Sequence, residues 1–145
     1  MPETSSPGTS NHPGSADNEQ AARALLDAFA RFDLDTYESL IAEDAVERRP
    51  QTGDRFVGRA KILGMYRHYP ADPPVVTWER IRGSGTVFIA EGTIDYDGSG
   101  SVERLVAVVE IRDGRMIDSN VYFASILDPV PYHGPWSNPD GRPAG

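Results

Sequence analysis

The chain has 145 residues, no cysteine and a formal net charge of −8 at pH 7. This length favours one domain with its own core. The lack of cysteine excludes disulfides, a thiolate nucleophile and Cys-ligated metal sites. The acidic balance without a basic stripe argues against nucleic-acid binding, and no apolar stretch approaches the roughly 18 residues of a membrane span. With no secretory signal, we expect a cytoplasmic protein that does not bind membranes.

The N-terminal half predicts three helices behind a short leader. Residues 1–16 are rich in Pro, Gly and Ser and predict a disordered segment. Apolar residues then recur at helical spacing from Asp17 to about Phe32, a second helix follows Asp33 or Asp35, and a third covers Arg59–Tyr69. The predicted buried positions are Ala22, Leu25, Leu26, Phe29, Tyr37, Leu40, Ile41, Ile62, Leu63 and Tyr66.

Strand-like runs dominate the C-terminal half. Short strands are predicted over 45–49 and 56–57, and longer ones over 75–82, 86–96, 102–111 and 115–124. The turns Asp97–Gly100 and Asp113–Gly114 favour hairpins, because glycine adopts positive φ without steric cost. The order predicts an α+β fold in which three N-terminal helices pack on a curved, mostly antiparallel sheet. The strand 102–111 is apolar on both faces near 105–109, which predicts a homodimer through the sheet.

The segment 128–145 is rich in Pro and Gly but carries Tyr132 and Trp136. Two large aromatics predict that it packs as an ordered strap, with a mobile end. We therefore divide the chain into a leader over 1–16, a domain over 17–127 and a C-terminal strap or tail over 128–145.

Five stretches carry a family resemblance: Leu25–Leu40, Ile41–Val46, Phe56–Arg59, Ile111–Ile117 and Tyr122–Phe123. Together they resemble the SnoaL-like branch of the nuclear transport factor 2-like superfamily, over roughly residues 20–126. The resemblance implies a cone-shaped fold that hosts isomerases, polyketide cyclases and epoxide hydrolases, so it indicates the fold more sharply than the chemistry.

The catalytic residues of these relatives are not matched. Ketosteroid isomerases would place a carboxylate base at Arg49, and an arginine does not release its proton at working pH. Limonene-type epoxide hydrolases would place an Arg and two Asp at Gly92, Ile94 and Val121. Aldol cyclases also use a carboxylate from the last strand, again at Val121, although a register error of one residue would offer Asn120 instead.

The resemblance leaves an apolar pocket with a few polar groups. We predict Tyr66 and Arg49 as the catalytic residues, stabilising negative charge on the ligand. The alternative for Arg49 is a solvated side chain paired with Glu47 or Asp54, and that for Tyr66 is an internal hydrogen bond. No cluster of histidines predicts a metal site, and we expect no cofactor. The predicted ligand contacts are Phe29, Tyr37, Leu63, Phe88, Ala90, Ile94, Ser119, Val121 and Phe123.

We therefore predict a cofactor-independent isomerase or cyclase of natural-product metabolism, of the polyketide or antibiotic type, acting on a largely apolar small molecule. One alternative is a non-catalytic module of the same fold that binds a ligand or dimerises. Another is an epoxide-hydrolase-like enzyme. It requires the sheet register to be shifted by one residue, so that Glu91 and Asp95 face inward.

Overall fold

The computed structural model describes residues 15–138. Three helices are formed, α1 (Ser15–Ala30), α2 (Leu34–Ser39) and α3 (Arg59–Arg67), and a short 3-10 helix covers Pro131–Trp136. No helix in the described part of the chain is both long and apolar enough to cross a bilayer. The strands are β1 (Ile41–Arg49), β2 (Asp54–Val57), β3 (Val75–Ser84), β4 (Val87–Asp95), β5 (Val102–Arg112) and β6 (Arg115–Ser125).

All six strands form one sheet in the order β2-β1-β6-β5-β4-β3. Every neighbouring pair is antiparallel except β1 and β6, which run parallel. The helices cover one face, where the core lies between α1, α3 and the inner side chains of the strands. The predicted α+β architecture is confirmed.

The alternation along β4 decides which side chains face the core. Phe88, Ala90 and Ile94 are buried on the inner face. Glu91 lies on the outer face, where it pairs with Arg82 at 3.3 Å. The carboxylate of Asp95 accepts the backbone N–H groups of Gly98 and Gly100 in the following turn. The inward pair of carboxylates needed for the epoxide-hydrolase alternative is therefore not formed.

At Gly92 the backbone of β3 leaves no room for a side chain on β4. A Cβ atom at this position would lie 2.0 Å from the carbonyl oxygen of Thr77, which no side chain can tolerate. The pairing of the two strands is irregular immediately beyond, between Trp78 and Arg80. Such an irregularity bends a sheet locally, and Gly92 allows the bend.

Two boundaries differ from the prediction because of tertiary contacts. β1 begins at Ile41 and not at residue 45, because Ile41 pairs with Met116 of β6 before the register shifts. α1 begins at Ser15, two residues inside the predicted leader, of which residues 1–14 lie outside the described part. The side chain of Asn18 donates to the Gly85 carbonyl and accepts from the Gly114 amide, tying the first turns of α1 to two hairpins.

The C-terminal segment does not pack as predicted. Tyr132 and Trp136 lie in the 3-10 helix, but 76% and 87% of their surfaces are exposed. Leu127 is similarly exposed just after β6. The aromatic side chains therefore lie away from the body of the domain. Residues 139–145, the end of the predicted strap, are outside the described residues.

Candidate functional site

A cavity of about 370 Å³ opens between the helices and the inner face of the sheet. It lies at one end of the fold, where α1 and α3 end and where the turn between β1 and β2 approaches the last residues of β4 and β6. Its walls are largely aromatic and aliphatic, as in most small-molecule sites. It is lined by Phe29, Phe32, Arg49, Gln51, Thr52, Asp54, Phe56, Met65, Tyr66, Tyr69, Pro74, Val76, Ile94, Tyr96, Val121 and Phe123.

The structure divides the predicted site residues into two groups. Arg49 and Tyr66 line the cavity, as do the predicted ligand contacts Phe29, Ile94, Val121 and Phe123. The other predicted contacts are buried in the packed core: Tyr37, Leu63, Phe88, Ala90 and Ser119.

The second group does not line this cavity. Side chains of α1 and α3 fill the space above most of the inner face, so the cavity reaches only one end of it. Phe88 and Leu63, for example, pack in the same buried cluster. A residue on the inner face is therefore not automatically a pocket residue.

Glu47 is the buried acid beside the cavity that the predicted site did not include. Its side chain is 0% exposed, and the sequence analysis named it only as a partner of Arg49 in the alternative to a catalytic role for that arginine. Alternation along β1 places Ala45, Glu47 and Arg49 on the same face, and Ala45 is fully buried in the core. This alternation is the signal that could have identified Glu47 from the sequence.

Four side chains from three elements form one hydrogen-bonded network around this carboxylate. The Tyr66 hydroxyl donates to Oε2 of Glu47 at 2.5 Å, and Nη2 of Arg49 donates to the same oxygen at 3.0 Å. The Tyr37 hydroxyl donates to Oε1 at 3.3 Å. Nη2 of Arg49 also donates to the Tyr66 hydroxyl at 2.8 Å. Both oxygens of the buried carboxylate are thus hydrogen-bonded, which is what burial of a charge requires.

The electrostatics of the network keep both tyrosines protonated and the arginine charged. Burial, reinforced by the negative charge of Glu47, raises the pKa of Tyr66 and of Tyr37 well above the ordinary value. Burial alone would lower the pKa of Arg49, but Tyr66 and Glu47 outweigh it, and the pKa of Arg49 lies above its ordinary value. Both tyrosines are therefore neutral phenols at neutral pH, and Arg49 is a permanent cation.

Arg49 keeps donors that the network does not use. Its hydrogen bonds to the carboxylate and the phenol all come from Nη2. Nε is buried without a hydrogen-bond partner, and none of the hydrogen bonds of Arg49 to the described residues comes from Nη1. The guanidinium carbon lies 5.1 Å from the ring centroid of Phe123, within cation–π distance. An arginine has no acceptor, so Arg49 presents N–H donors to a cavity of mostly apolar walls.

Polar residues are otherwise concentrated at the rim. Gln51 and Thr52 are exposed in the turn between β1 and β2, and Asp54 is exposed at the start of β2. Thr52 donates to the Asp54 carboxylate at 2.8 Å. Across residues 15–138 no three acidic, histidine or cysteine side chains cluster as a metal site would require. The arrangement can bind an apolar molecule and hydrogen-bond an oxygen of it at Arg49.

Comparison with known proteins places this geometry in a family. The profile of the SnoaL-like domain matches residues 22–119. A solved NTF2-like protein of unknown function from Burkholderia xenovorans LB400 is 27% identical, with a TM-score of 0.78 over 87% of this chain and 97% of that one. A search of curated proteins found no match.

Two further solved structures share the fold. A candidate ketosteroid isomerase from Kribbella flavida DSM 17836 is 24% identical, with a TM-score of 0.74 over 89% of this chain and 93% of that one. A candidate SnoaL-like polyketide cyclase from Shewanella putrefaciens CN-32 is 14% identical, with a TM-score of 0.64 over 74% and 89%. The helices on a curved sheet are thus the NTF2-like cone, and the chain belongs to the SnoaL-like domain family.

Proposed function

We propose that the protein is a cofactor-independent isomerase or cyclase that acts on a largely apolar, polyketide-like small molecule. The observation that carries the proposal is the cationic Arg49, held by Glu47 and Tyr66 beside a cavity with aromatic walls. Fold neighbours described as a candidate ketosteroid isomerase and a candidate polyketide cyclase support this reaction class.

The chemistry that fits the site is stabilisation of an enolate. A carbonyl oxygen of the ligand accepts a hydrogen bond from Nη1 of Arg49, and negative charge grows on that oxygen as the neighbouring carbon loses a proton. A fixed cation in a site with little water stabilises this charge far better than it would in solution. The apolar walls hold the rest of the ligand in one conformation, which reduces the entropy cost of isomerisation or ring closure.

Proton transfer would pass through Tyr66. The proton on the ligand carbon moves to the Tyr66 oxygen while the hydroxyl proton of Tyr66 moves to Glu47, 2.5 Å away. The C–H bond breaks, the hydroxyl is restored and Glu47 becomes a neutral acid. Return of the proton to a different carbon completes an isomerisation. Among the described residues, Tyr66 is the only cavity-lining residue besides Arg49 whose side chain hydrogen-bonds to Glu47.

Deuterium exchange tests the proposal without knowledge of the natural substrate. The protein is incubated in D₂O with bicyclic aryl ketones such as α-tetralone, and deuterium uptake beside the carbonyl is followed by NMR. Wild-type protein is expected to accelerate uptake. Arg49→Met and Tyr66→Phe are expected to lower the rate by about 10²-fold or more, whereas Glu43→Gln, an exposed acid of the same strand, leaves it unchanged. No acceleration with any ketone of the series would contradict the proposal.

A non-catalytic ligand-binding module is the second candidate. It is favoured by the full engagement of Glu47, whose two oxygens accept three hydrogen bonds, and by the position of Asp54 at the exposed rim. No unengaged carboxylate lines the inner part of the described cavity. This candidate predicts saturable ligand binding without deuterium exchange.

We also propose that two copies associate through the outer face of the sheet. Val106 and Val108 lie at its centre, beside Ile89 and Tyr122 on the neighbouring strands. The ion pairs of Glu91 with Arg82 and of Arg48 with Asp118 lie on the same face. Apolar side chains with charged pairs around them are typical of an interface core and its rim.

A further inference from the structure

We propose that Glu47 sets the charge preference of the cavity, so that the site selects uncharged ligands with an acceptor oxygen and rejects carboxylates of the same shape. The inference deepens the proposed function, because it concerns the ligand that Arg49 holds. It assigns Glu47 a role in specificity as well as in positioning Arg49.

The argument begins with a charge count. Arg49 and Asp54 are the charged residues among those that line the described cavity, and Asp54 is exposed at the rim. At the inner side, Arg49 is paired with Glu47, 3.0 Å away. The pair has a net charge of zero. The site therefore resembles a dipole whose positive end faces the ligand, and not an isolated cation.

A carboxylate ligand would disturb this balance. It would place a second negative charge on the open edge of the guanidinium that already holds Glu47 on its other side. The ligand carboxylate, Arg49 and Glu47 together would carry a net charge of −1 among apolar side chains such as Phe29, Val121 and Phe123. An uncompensated charge in an apolar interior remains strongly unfavourable even after relaxation. A carbonyl oxygen accepts the same hydrogen bond and adds no net charge.

Glu47 is unable to escape this interaction. Its side chain is fully buried, so water does not screen it. Donors from Tyr37, Tyr66 and Arg49 hold both oxygens in place. The repulsion therefore acts as a built-in discrimination against a wrong ligand, which is how many specific sites reject close analogues.

The shape of the cavity suggests the probes. A volume of about 370 Å³ lies at the lower end of the range for ligand sites. The rings of Phe29, Phe32, Phe56, Tyr69, Tyr96 and Phe123 favour a flat molecule. Two such probes are 2-acetylnaphthalene and 2-naphthoate, which have the same number of non-hydrogen atoms and nearly the same shape. They differ mainly in that one is neutral and the other is an anion at pH 7.5.

Isothermal titration calorimetry with both probes tests the inference. Wild-type protein is expected to bind the ketone at least about tenfold more tightly than the carboxylate. Glu47→Gln preserves size and removes the negative charge, so the carboxylate is expected to bind at least about tenfold more tightly than it does to wild type. Glu43→Gln removes an exposed charge from the same strand and is expected to leave both affinities unchanged.

The wild-type comparison alone can overturn the inference, so the result does not depend on the folding of a variant. Equal or tighter binding of 2-naphthoate by wild type would refute it, and so would the failure of both probes to bind. Arg49→Gln gives an independent check, because it leaves Glu47 without its cation. It is expected to abolish carboxylate binding while the ketone is weakened less.

The inference and the proposed function fail separately. A ketone preference without deuterium exchange would refute the enzymatic function and leave the charge preference intact. Exchange activity together with a carboxylate preference would refute the charge preference and leave the enzymatic function intact.

Discussion

Two ion pairs on β1 provide a direct test of whether the Glu47 network is a buried electrostatic unit. Arg49 pairs inward with Glu47 at 3.0 Å, and the two side chains are 19% and 0% exposed. Its neighbour Arg48 pairs outward with Asp118 at 2.5 Å, and those side chains are 39% and 36% exposed. Distance alone would rank the outer pair as the stronger one. Burial ranks the inner pair higher.

The magnitudes follow from Coulomb's law. At an effective dielectric constant of about 20, unit charges 3.0 Å apart attract by about 5.5 kcal/mol, and desolvation offsets much of this. At about 80, charges 2.5 Å apart attract by about 1.7 kcal/mol before the side-chain entropy cost. We expect coupling free energies of about 2 kcal/mol for the inner pair and at most about 1 kcal/mol for the outer pair.

Matched double-mutant cycles measure both couplings. One cycle uses Arg49→Met and Glu47→Gln, and the other uses Arg48→Met and Asp118→Asn. The free energy of unfolding is determined from urea titrations followed by circular dichroism. Arg49→Met alone is expected to cost about 3 kcal/mol, because it leaves a buried carboxylate without its cation. The reasoning would be refuted if the losses in free energy of unfolding caused by Arg49→Met and Glu47→Gln add to that of the double variant within about 0.5 kcal/mol.

Three further predictions concern other parts of the molecule. Since the pKa values of Tyr37 and Tyr66 are raised by burial and by the nearby carboxylate, the unfolded chain loses these protons first as pH rises. Their contribution to the free energy of unfolding is therefore fully present below about pH 10 and falls above it, by up to about 1.4 kcal/mol per pH unit for each tyrosine. Urea titrations above pH 10 should show that the free energy of unfolding of Tyr66→Phe falls less steeply with pH than that of wild type. Gly92→Ala forces a Cβ against the Thr77 carbonyl and is expected to lower the free energy of unfolding by at least about 2 kcal/mol, and a loss below about 0.5 kcal/mol would be inconsistent with that contact. Val108→Lys is expected to convert a wild-type dimer into a monomer in sedimentation experiments, and a monomeric wild type at micromolar concentration would contradict the proposed interface.

Much of the sheet could be predicted because its turns and strand faces are determined by residues that are close together in the sequence. The hairpin between β5 and β6 turns at Asp113 and Gly114, both of which adopt positive φ, and the Asp-Gly pair predicted it. The apolar residues at alternate positions of β4 predicted which face of the strand is turned to the core, with Ala90 and Ile94 inside and Glu91 outside. Turn chemistry and alternation depend on neighbouring residues only, so they are visible in the sequence.

The boundaries and the site depend on partners distant in the chain, and the prediction was weaker there. The start of β1 at Ile41 depends on parallel pairing with β6, about 75 residues later. Glu47 was named only as an alternative partner of Arg49, because a glutamate in a strand is usually solvated. Only the hydroxyls of Tyr37 and Tyr66, delivered by two helices, make its burial possible.

The location of the cavity could not be predicted for the same reason, because it depends on residues that are distant in the chain. The inner face of the sheet was predicted correctly, but the depth to which α1 and α3 fill it depends on how the helices pack. Phe88 and Ser119 are therefore core residues, while Tyr69 and Tyr96 line the cavity without having been predicted to do so.

An apolar replacement of the whole network separates its contribution to stability from its contribution to function. Apolar side chains of similar volume in place of a buried ion pair are often neutral or stabilising, and removing both partners of a hydrogen bond avoids leaving an unsatisfied group. We therefore expect the variant Glu47→Met, Arg49→Leu, Tyr37→Phe, Tyr66→Phe to match wild type in free energy of unfolding within about 1 kcal/mol.

The same variant is expected to lose both deuterium exchange and the preference for 2-acetylnaphthalene over 2-naphthoate. A loss of stability above about 3 kcal/mol would instead indicate that the fold itself requires the network. Retained stability with lost discrimination would mean that the fold does not need the network of Glu47, Arg49, Tyr37 and Tyr66, and that the field of this network acts on the ligand. In this molecule the neighbouring space on which that field acts is the cavity beside Arg49.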